Sequence, residues 1–434
     1  MKTKKIILPQ EIHIIAQKLS WKGFRCFIAW GWCRDHFVGI DSRDIDLFTD
    51  ALPEEVKKEL TVVGEVGKKY GTCIVKEWER TFEITTFRKD IWTINNRKPA
   101  KVIFTSSLDE DSKRRDFTCN AIYYDILNEK FIDPRWGIED IQNKILRFVG
   151  KPDERMEEDI LRLLRYVRCK HKYWFTDGAK TYLKIFQEKL PLLTNISIER
   201  KKEELDKIIV LKNNVEALSE LKKMGFFKLF ISEIEALEKT PGGAPWHLEW
   251  DVWVHTLMTI KEMNLLPQEK EKLDLLWTML FHDIGKAVTV SFWPNKRVHY
   301  YAHEEIWAKM FQKLAKNWNF SNASTEKITW LIQNHLKVCH ALEMSPVKRH
   351  RFMMHPYFEL LLLVFEADKK WRLPVSVEWV EKTKKYYKKF QKKLVGIKFF
   401  TGDDVMKKFP ELKGKDIGEK LSKWNDNLLN NLKI

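Results

Sequence analysis

Glycine is scarce in this chain, at 17 of 434 residues or about 4% against a usual ~7%, while tryptophan, ordinarily rare, occurs 18 times. The six cysteines, at 26, 33, 73, 119, 169 and 339, form no CxxC pair. That argues against a zinc ribbon or a thiol redox motif and leaves reduced, cytosolic thiols. No uninterrupted apolar run approaches the ~20 residues needed to span a bilayer. The apolar IIL that follows MKTKK stops at Pro9, short of a signal-peptide core. The expectation is a soluble, cytoplasmic protein with no membrane partner. No repeat and no low-complexity tract occurs.

What is abundant is positive charge. Lys plus Arg outnumber Asp plus Glu by 77 to 61, for a net charge of +16, and the excess is scattered rather than gathered into a tail. That pattern suits a polyanionic partner, nucleic acid first. At 434 residues the chain exceeds the size at which a single core stops growing, so two or three domains are expected. Residue patterning predicts a helix over 10–20, strands at CFIAW and DIDLFTD, and a hairpin from TCIVKEW and RTFEITTFR. The first ~150 residues are thus mixed α and β. From Glu157 onward, EEDILRLLRYVRCK, IERKKEELDKIIVL and NVEALSELKKMGFF repeat apolar residues at three and four, the helical spacing. PGGAPW (241–246) reads as a linker, with further helices up to about residue 400.

On a strand, residues two apart share a face, so Asp44 and Asp46 point one way while Ile45 and Leu47 face the core. Two carboxylates side by side repel and need a cation. Hard oxygen ligands that leave room for phosphate suit Mg²⁺, and two such ions about 3.5–4 Å apart clamp the attacking and leaving oxygens of a phosphoryl displacement. The pair follows an apolar strand, a turn at Gly31 and a twelve-residue helical spacer, Trp32 to Arg43. That order lets N–H groups near Gly31 cradle a triphosphate.

This arrangement resembles the nucleotidyltransferase superfamily of DNA polymerase β. Within it, the arrangement resembles the class II tRNA nucleotidyltransferases (the CCA-adding enzymes) and the related bacterial poly(A) polymerases. RRDFTCNA (114–121) is similar to that family's nucleotide-binding motif, DPRWGIEDI (133–141) to the turn and helix that close the head, and EDILRLLR (158–165) to the neck motif. IKFFTGDDVMKKFPELKGKDIGE (397–419) is similar to its C-terminal segment, which implies tRNA contact. The resemblance implies an α+β protein: a polymerase β-like head of mixed or antiparallel sheet with helices (1–150), then an all-α neck (151–235), body (236–400) and tail (401–434). It implies catalysis by Asp44 and Asp46 with Mg²⁺, and nucleotide binding by Gly31, Arg34, Arg114, Arg115, Asp116 and Asn120. Asp159 and Arg162 would select the base, supported by Glu158 and Arg165.

The residues carry readings of their own. Glu158 and Asp159 lie four and three residues before Arg162, on one helical face. That spacing suits a helix ion pair worth ~0.3–0.5 kcal/mol, or a fork of donors and acceptors matched to a base edge. Arg114 and Arg115 can meet phosphates, and Asp116 can accept from a ribose hydroxyl or pair with a buried arginine. Glu83, on FEITTFR, would add a third carboxylate near the metals.

After the linker, His255, His282, Asp283, His303, His335 and Asp368 fall in FHDIGKA, AHEEI, NHLKV and EAD. This set resembles the HD phosphohydrolase domain, whose His and Asp ligands hold one or two divalent metals, and implies hydrolysis of cyclic or terminal phosphates of RNA. The expected reaction is addition of CMP, CMP and AMP, from CTP and ATP, to the 3′ end of tRNA. Poly(A) addition and partial CC- or A-addition are alternatives, as is an HD phosphohydrolase on an inactive head. No protein partner is implied. Trp30, Trp136, Trp174, Trp250 and Trp307 stand where family sequences usually carry glycine, at turn, cap or close-packing positions. UGA codons read as glycine by the source organism and rendered as tryptophan would account for both the missing glycine and the surplus tryptophan.

Overall fold

Ile12, Ile15, Ala16 and Leu19 recur at helical spacing and are fully buried along one side of α1 (Gln10–Ser20). The fold comes from a computed structural model that describes residues 6–42, 44–66, 70–91, 101–241, 251–265, 270–292, 298–300, 303–371, 377–432 and 434. The chain divides into two units, residues 1–226 and 227–434. In the first, α1 leads to β1 (Cys26–Ala29), α2 (Gly31–Val38), β2 (Asp46–Thr49), α3 (Pro53–Glu59), β3 (Val62–Val66), β4 (Thr72–Glu77) and β5 (Arg80–Thr86). A ribbon of β6 (Arg88–Ile91) and β7 (Lys101–Phe104) precedes α4 (Leu108–Lys113), β8 (Tyr123–Asp125), β9 (Lys130–Ile132) and α5 (Gly137–Gln142).

Seven strands form one sheet in the order β3-β4-β5-β2-β1-β8-β9, antiparallel except where β2 runs parallel to β5. Strand β1 is buried along its whole length, as a central strand covered on both faces must be. Phe27, Phe48, Phe87 and Tyr123 form the apolar core against this sheet. The β4–β5 hairpin matches the expectation from sequence. Strand β2 begins at Asp46, so Asp44 lies just before the strand rather than on it. The helical spacer is also shorter than expected. It stops at Val38, where Gly39 takes a left-handed cap (φ 87) that ends the helix.

The helical part of this unit continues through β10 (Ile145–Leu146), α6 (Pro152–Glu158), α7 (Arg162–Tyr173), β11 (Thr176–Asp177), α8 (Tyr182–Lys189), α9 (Ile198–Ile209) and α10 (Asn214–Met224). The EDILR segment is not one helix. Helix α6 ends at Glu158, Asp159 is extended (φ −147, ψ 98), and α7 starts at Arg162. The single helical face expected for these residues is thereby broken. A backbone hydrogen bond from Arg162 N to Asp159 O turns the chain between the two helices.

The second unit contains α11 (Phe226–Phe230), α12 (Ser232–Glu235), α13 (Val252–Met263), α14 (Lys272–Phe281), α15 (Lys286–Thr289), the pair β12 (Val290–Phe292) and β13 (Val298–Tyr300), α16 (His303–Asn317) and α17 (Asn322–Asn334). Then follow α18 (Pro346–Met353), α19 (Phe358–Lys370), α20 (Glu378–Leu394), α21 (Gly402–Lys408) and α22 (Lys415–Asn430). Helices α13, α14, α17 and α19 pack on one another around buried Leu275, Met279, Leu331 and Leu361. The C-terminal segment is helical and docked. His350 Nδ1 donates to Leu429 O at 2.8 Å, and Arg351 pairs with Asp426 at 2.7 Å. The linker expected at 241–246 and Trp250 fall, save Pro241, outside the described residues.

Candidate functional site

Pairing of β2 with β5 in parallel register sets Leu47 beside Ile84, which places Asp46 and Glu83 next to each other on neighbouring strands. Asp44, Asp46 and Glu83 line one cavity of about 1680 Å³, walled on its apolar side by Trp32, His36 and Phe37. Burial, with Asp44 and Glu83 nearby, pushes the Asp46 carboxyl up to about 6. A partly buried carboxylate, Asp46, flanked by the exposed Asp44 and Glu83, forms a donor set suited to a hard divalent cation, which would relieve the repulsion among them and the lost hydration of Asp46.

Arg34, Arg114 and Arg115 do not line this cavity. Arg34 donates from Nε and Nη2 to Asp35 Oδ1 at 2.9 and 2.8 Å and from Nη1 to Asn120 Oδ1 at 2.7 Å, with its guanidinium over Tyr173. Asn120 Nδ2 donates to Asp116 Oδ1 at 2.9 Å, and the other Asp116 oxygen meets Arg165 at 2.5 Å. Arg34, Asn120, Asp116 and Arg165 therefore form one continuous chain of polar contacts from α2 to α7. The structure realises the second of the two roles open to Asp116, pairing with an arginine.

Arg115 departs from the expectation that both arginines face phosphate. It is 2% exposed, its Nη2 pairs with Asp111 Oδ2 at 2.5 Å, and the Trp30 and Phe48 rings cover it at 4.9 and 4.4 Å. Arg114 donates from Nε to the other Asp111 oxygen at 2.8 Å. Asp111 is the residue that the motif reading missed. Its spacing of three and four before Arg114 and Arg115 was the available signal.

Arg162 Nη1 donates to Glu158 Oε2 at 2.6 Å and to Arg155 O at 2.9 Å, and Nη2 reaches Arg114 O at 3.3 Å. Burial, with Arg162 adjacent, lowers Arg155 to about 10. Asp159 Oδ1 accepts from Leu161 N at 3.2 Å and lies 3.8 Å from Arg200. Glu158, Asp159 and Arg162 thus stand together, held by backbone as well as side-chain contacts, while Arg165 pairs with Asp116.

In the second unit, α13 supplies His255, the end of α14 His282 and Asp283, the end of α17 His335, and α19 Asp368. All five are buried. Ligand atoms of His255, His282 and Asp283 lie within 4.8 Å of one another. His255 Nε2 is 3.1 Å from Asp368 Oδ1, His282 Nε2 is 3.3 Å from Asp283 Oδ2, and His335 Nε2 is 4.0 Å from Asp283 Oδ1. His282 and His335 donate Nδ1–H to Met279 O and Ile332 O at 2.7 and 2.6 Å. Those bonds orient each ring so that its Nε2 faces Asp283, as metal-ligating imidazoles are oriented by their second nitrogen. Burial holds His335 down at about 3, so it stays neutral. Burial raises the Asp283 carboxyl, but Lys286 and His282 outweigh it and hold it well below the usual carboxylate range. His303 begins α16, and its side chain lies outside the described residues.

Three family profiles match in chain order. Residues 26–147 match the poly A polymerase head domain, 179–237 the probable RNA and SrmB-binding site of polymerase A, and 252–369 the HD domain. Residues 26–147 are thus similar to the poly A polymerase head domain, and residues 252–369, in the second unit, to the HD domain. Curated relatives include the CCA-adding enzyme of Bacillus subtilis (strain 168), 39% identical over 199 residues that make up 46% of this chain and 50% of that protein. The CCA-adding enzyme of Geobacillus kaustophilus is 39% identical over 218 residues, 50% of this chain and 53% of that one. The chain spans about half the length of the curated relatives it matches. The fold is shared more widely. The Bacillus stearothermophilus CCA-adding enzyme in complex with CTP aligns with a TM-score of 0.69 at 24% identity, over 96% of this chain and 93% of that one. The Thermotoga maritima CCA-adding enzyme complexed with tRNA aligns with a TM-score of 0.65 at 15% identity, over 99% and 94%. Among the described residues no helix is long and apolar enough to cross a membrane.

Proposed function

We propose that the chain adds C, C and A, from CTP and ATP, to the 3′ end of tRNA in the cytoplasm. The observation that carries this reading is the convergence of Asp44, Asp46 and Glu83 on one cavity in a poly A polymerase head domain. Asp44 and Asp46 would hold Mg²⁺, with Glu83 beside them. When bound, divalent ions there favour ionisation of the attacking hydroxyl and offset charge on the departing pyrophosphate. The terminal ribose 3′-oxygen forms a bond to the α-phosphorus of the incoming nucleotide, and the bond to the β-phosphate bridging oxygen breaks. Gly31 and Arg34, at the start of α2, would steer the triphosphate, and Asp116 and Asn120 would meet the sugar, with a ribose hydroxyl taking the place of Arg165 on Asp116. Asp159 and Arg162 pair with the base edge, while Glu158 and Arg165 hold them.

The test is single-nucleotide incorporation on tRNA transcripts ending at the discriminator base, at C or at CC, with each NTP in turn. Stepwise C, C and A addition supports the reading. Long A tracts on unrelated RNA would replace it with poly(A) polymerase, and arrest after CC, or A alone on a CC end, with a partial enzyme. Two further outcomes follow from the same reading. Arg162→Ala is expected to cost about 1–3 kcal/mol of discrimination, a roughly five- to 150-fold loss of preference for C and A over U and G, measured as ratios of kcat/KM. With six or more phosphates neutralised, tRNA affinity is expected to fall about a thousandfold or more between about 50 and 200 mM salt, measured by filter binding.

The buried His and Asp cluster favours a second activity, metal-dependent removal of cyclic or terminal phosphates from RNA ends. Release of phosphate that survives Asp44→Ala and is lost in Asp283→Ala would establish it. Equal release by both variants and by the unaltered chain would count against it.

A further inference from the structure

Seven described non-glycine residues have positive φ, and four of them are tryptophans: Trp30 (φ 66), Trp78 (φ 53), Trp136 (φ 61) and Trp174 (φ 59). This half of Ramachandran space favours glycine, tolerates asparagine and aspartate, and is an outlier for a bulky side chain. Each of the four sits at a backbone position with a specific demand. Trp30, with ψ −125, has the dihedrals of the first central residue of a type II′ turn, which is dominated by glycine. Trp78 and Glu79 form the two-residue loop of the β4–β5 hairpin, and only the first has positive φ, again the II′ pattern. Trp174 (ψ 39) is the left-handed residue that ends α7, the position glycine most often fills. Trp136 (ψ 27) is left-handed immediately before α5, and a Cβ on the next residue, Gly137, would lie 2.1 Å from Thr118 O.

Burial does not offset this strain. The four side chains are 38%, 54%, 73% and 63% exposed. Other tryptophans behave as the residue type should. Trp277 and Trp253 lie within α14 and α13, are 0% and 6% exposed and have ordinary backbone dihedrals. Trp277 stacks on Phe281 at 5.4 Å. These six tryptophans therefore fall into two groups, one chosen by packing and one placed where the backbone asks for no side chain at all. Position 78 joins this second group on backbone geometry alone.

We infer that residues 30, 78, 136 and 174 are glycine in the protein made by its source cell, their codons being UGA triplets decoded there as glycine. At position 30 the consequence is local and large. Glycine there removes the indole that covers Arg115 and Phe48 at the start of α2. The inference is independent of the proposed activity, because its readout is residue mass. Peptide mass spectrometry of the protein purified from the source cell is expected to show glycine at 30, 78, 136 and 174 and tryptophan at 253 and 277, with UGA codons at the first four. Tryptophan masses at those four, or UGG codons there, would overturn it. A recombinant chain carrying Trp30→Gly, Trp78→Gly, Trp136→Gly and Trp174→Gly is expected to unfold at a higher temperature than the chain with all four tryptophans. A lower midpoint would count against the inference.

Discussion

Asp111→Asn is expected to lower stability by about 3–5 kcal/mol, because removing one member of a buried ionic cluster leaves the remaining charges desolvated and unpaired. Asp111 is fully buried. Its oxygens accept from Arg114 Nε (2.8 Å), Arg115 Nη2 (2.5 Å), Tyr123 Oη (2.8 Å) and Arg88 N (3.1 Å). The amide keeps the size but accepts at one atom only. Equilibrium urea unfolding of the full chain, followed in the transition of the first unit, measures the loss. Asp109→Asn is the control: its partners Lys113 and Arg135 are partly exposed, so a change within about 1 kcal/mol is expected. The pH dependence has a definite sign. Burial raises the Asp111 carboxyl, but Arg115 and Arg114 outweigh it and leave its folded pKa far below the unfolded value. Its contribution is therefore fully present above the unfolded pKa of about 3.9 and is lost as pH falls toward the folded value. The variant's stability should fall less steeply with acid than that of the unaltered chain.

Asp46→Ala is expected to reduce nucleotide incorporation by about a thousandfold or more, since metal stabilisation of the developing charge is worth several kcal/mol of barrier. Folding should survive. The change removes a carboxylate that burial and two like-charged neighbours already disfavour, and the unfolding midpoint without added metal should be unchanged or raised. Activity loss together with retained or increased stability separates a catalytic carboxylate from a structural one. Glu83→Gln grades the same argument. If the third carboxylate helps hold the cation, half-maximal incorporation shifts to higher Mg²⁺ while activity at saturating Mg²⁺ persists. An unchanged Mg²⁺ requirement would remove Glu83 from the site.

Elements whose amphipathic pattern is local were legible in the sequence. Helices α1, α9 and α10 and the β4–β5 hairpin carry their buried residues at their own period. Features set by distant parts of the chain were not. The parallel register that brings Glu83 beside Asp46 joins strands separated by two intervening strands and a helix, so no spacing announces it. The break at Asp159 was hidden because EDILRLLR reads equally well as one continuous helix, and its spacing of four still produces the Glu158–Arg162 pair across the interruption. Strand β3 is half-exposed, with burial too weak to pattern its five residues. For the HD cluster the residue types were readable, whereas the ring orientations of His282 and His335 follow from carbonyls three positions back in each helix, which only the folded backbone reveals.

With the proposed roles, the Asp116–Arg165 contact would tie sugar recognition and base recognition to a single oxygen atom. One Asp116 oxygen is occupied by Phe117 N and Asn120 Nδ2, so a sugar hydroxyl would compete with Arg165 for the other. An arginine displaced by the sugar would be released three residues along α7 from Arg162. Choice of sugar and choice of base would then be thermodynamically linked. A deoxynucleotide, lacking one hydroxyl, would be misread at its base as well as refused at its sugar.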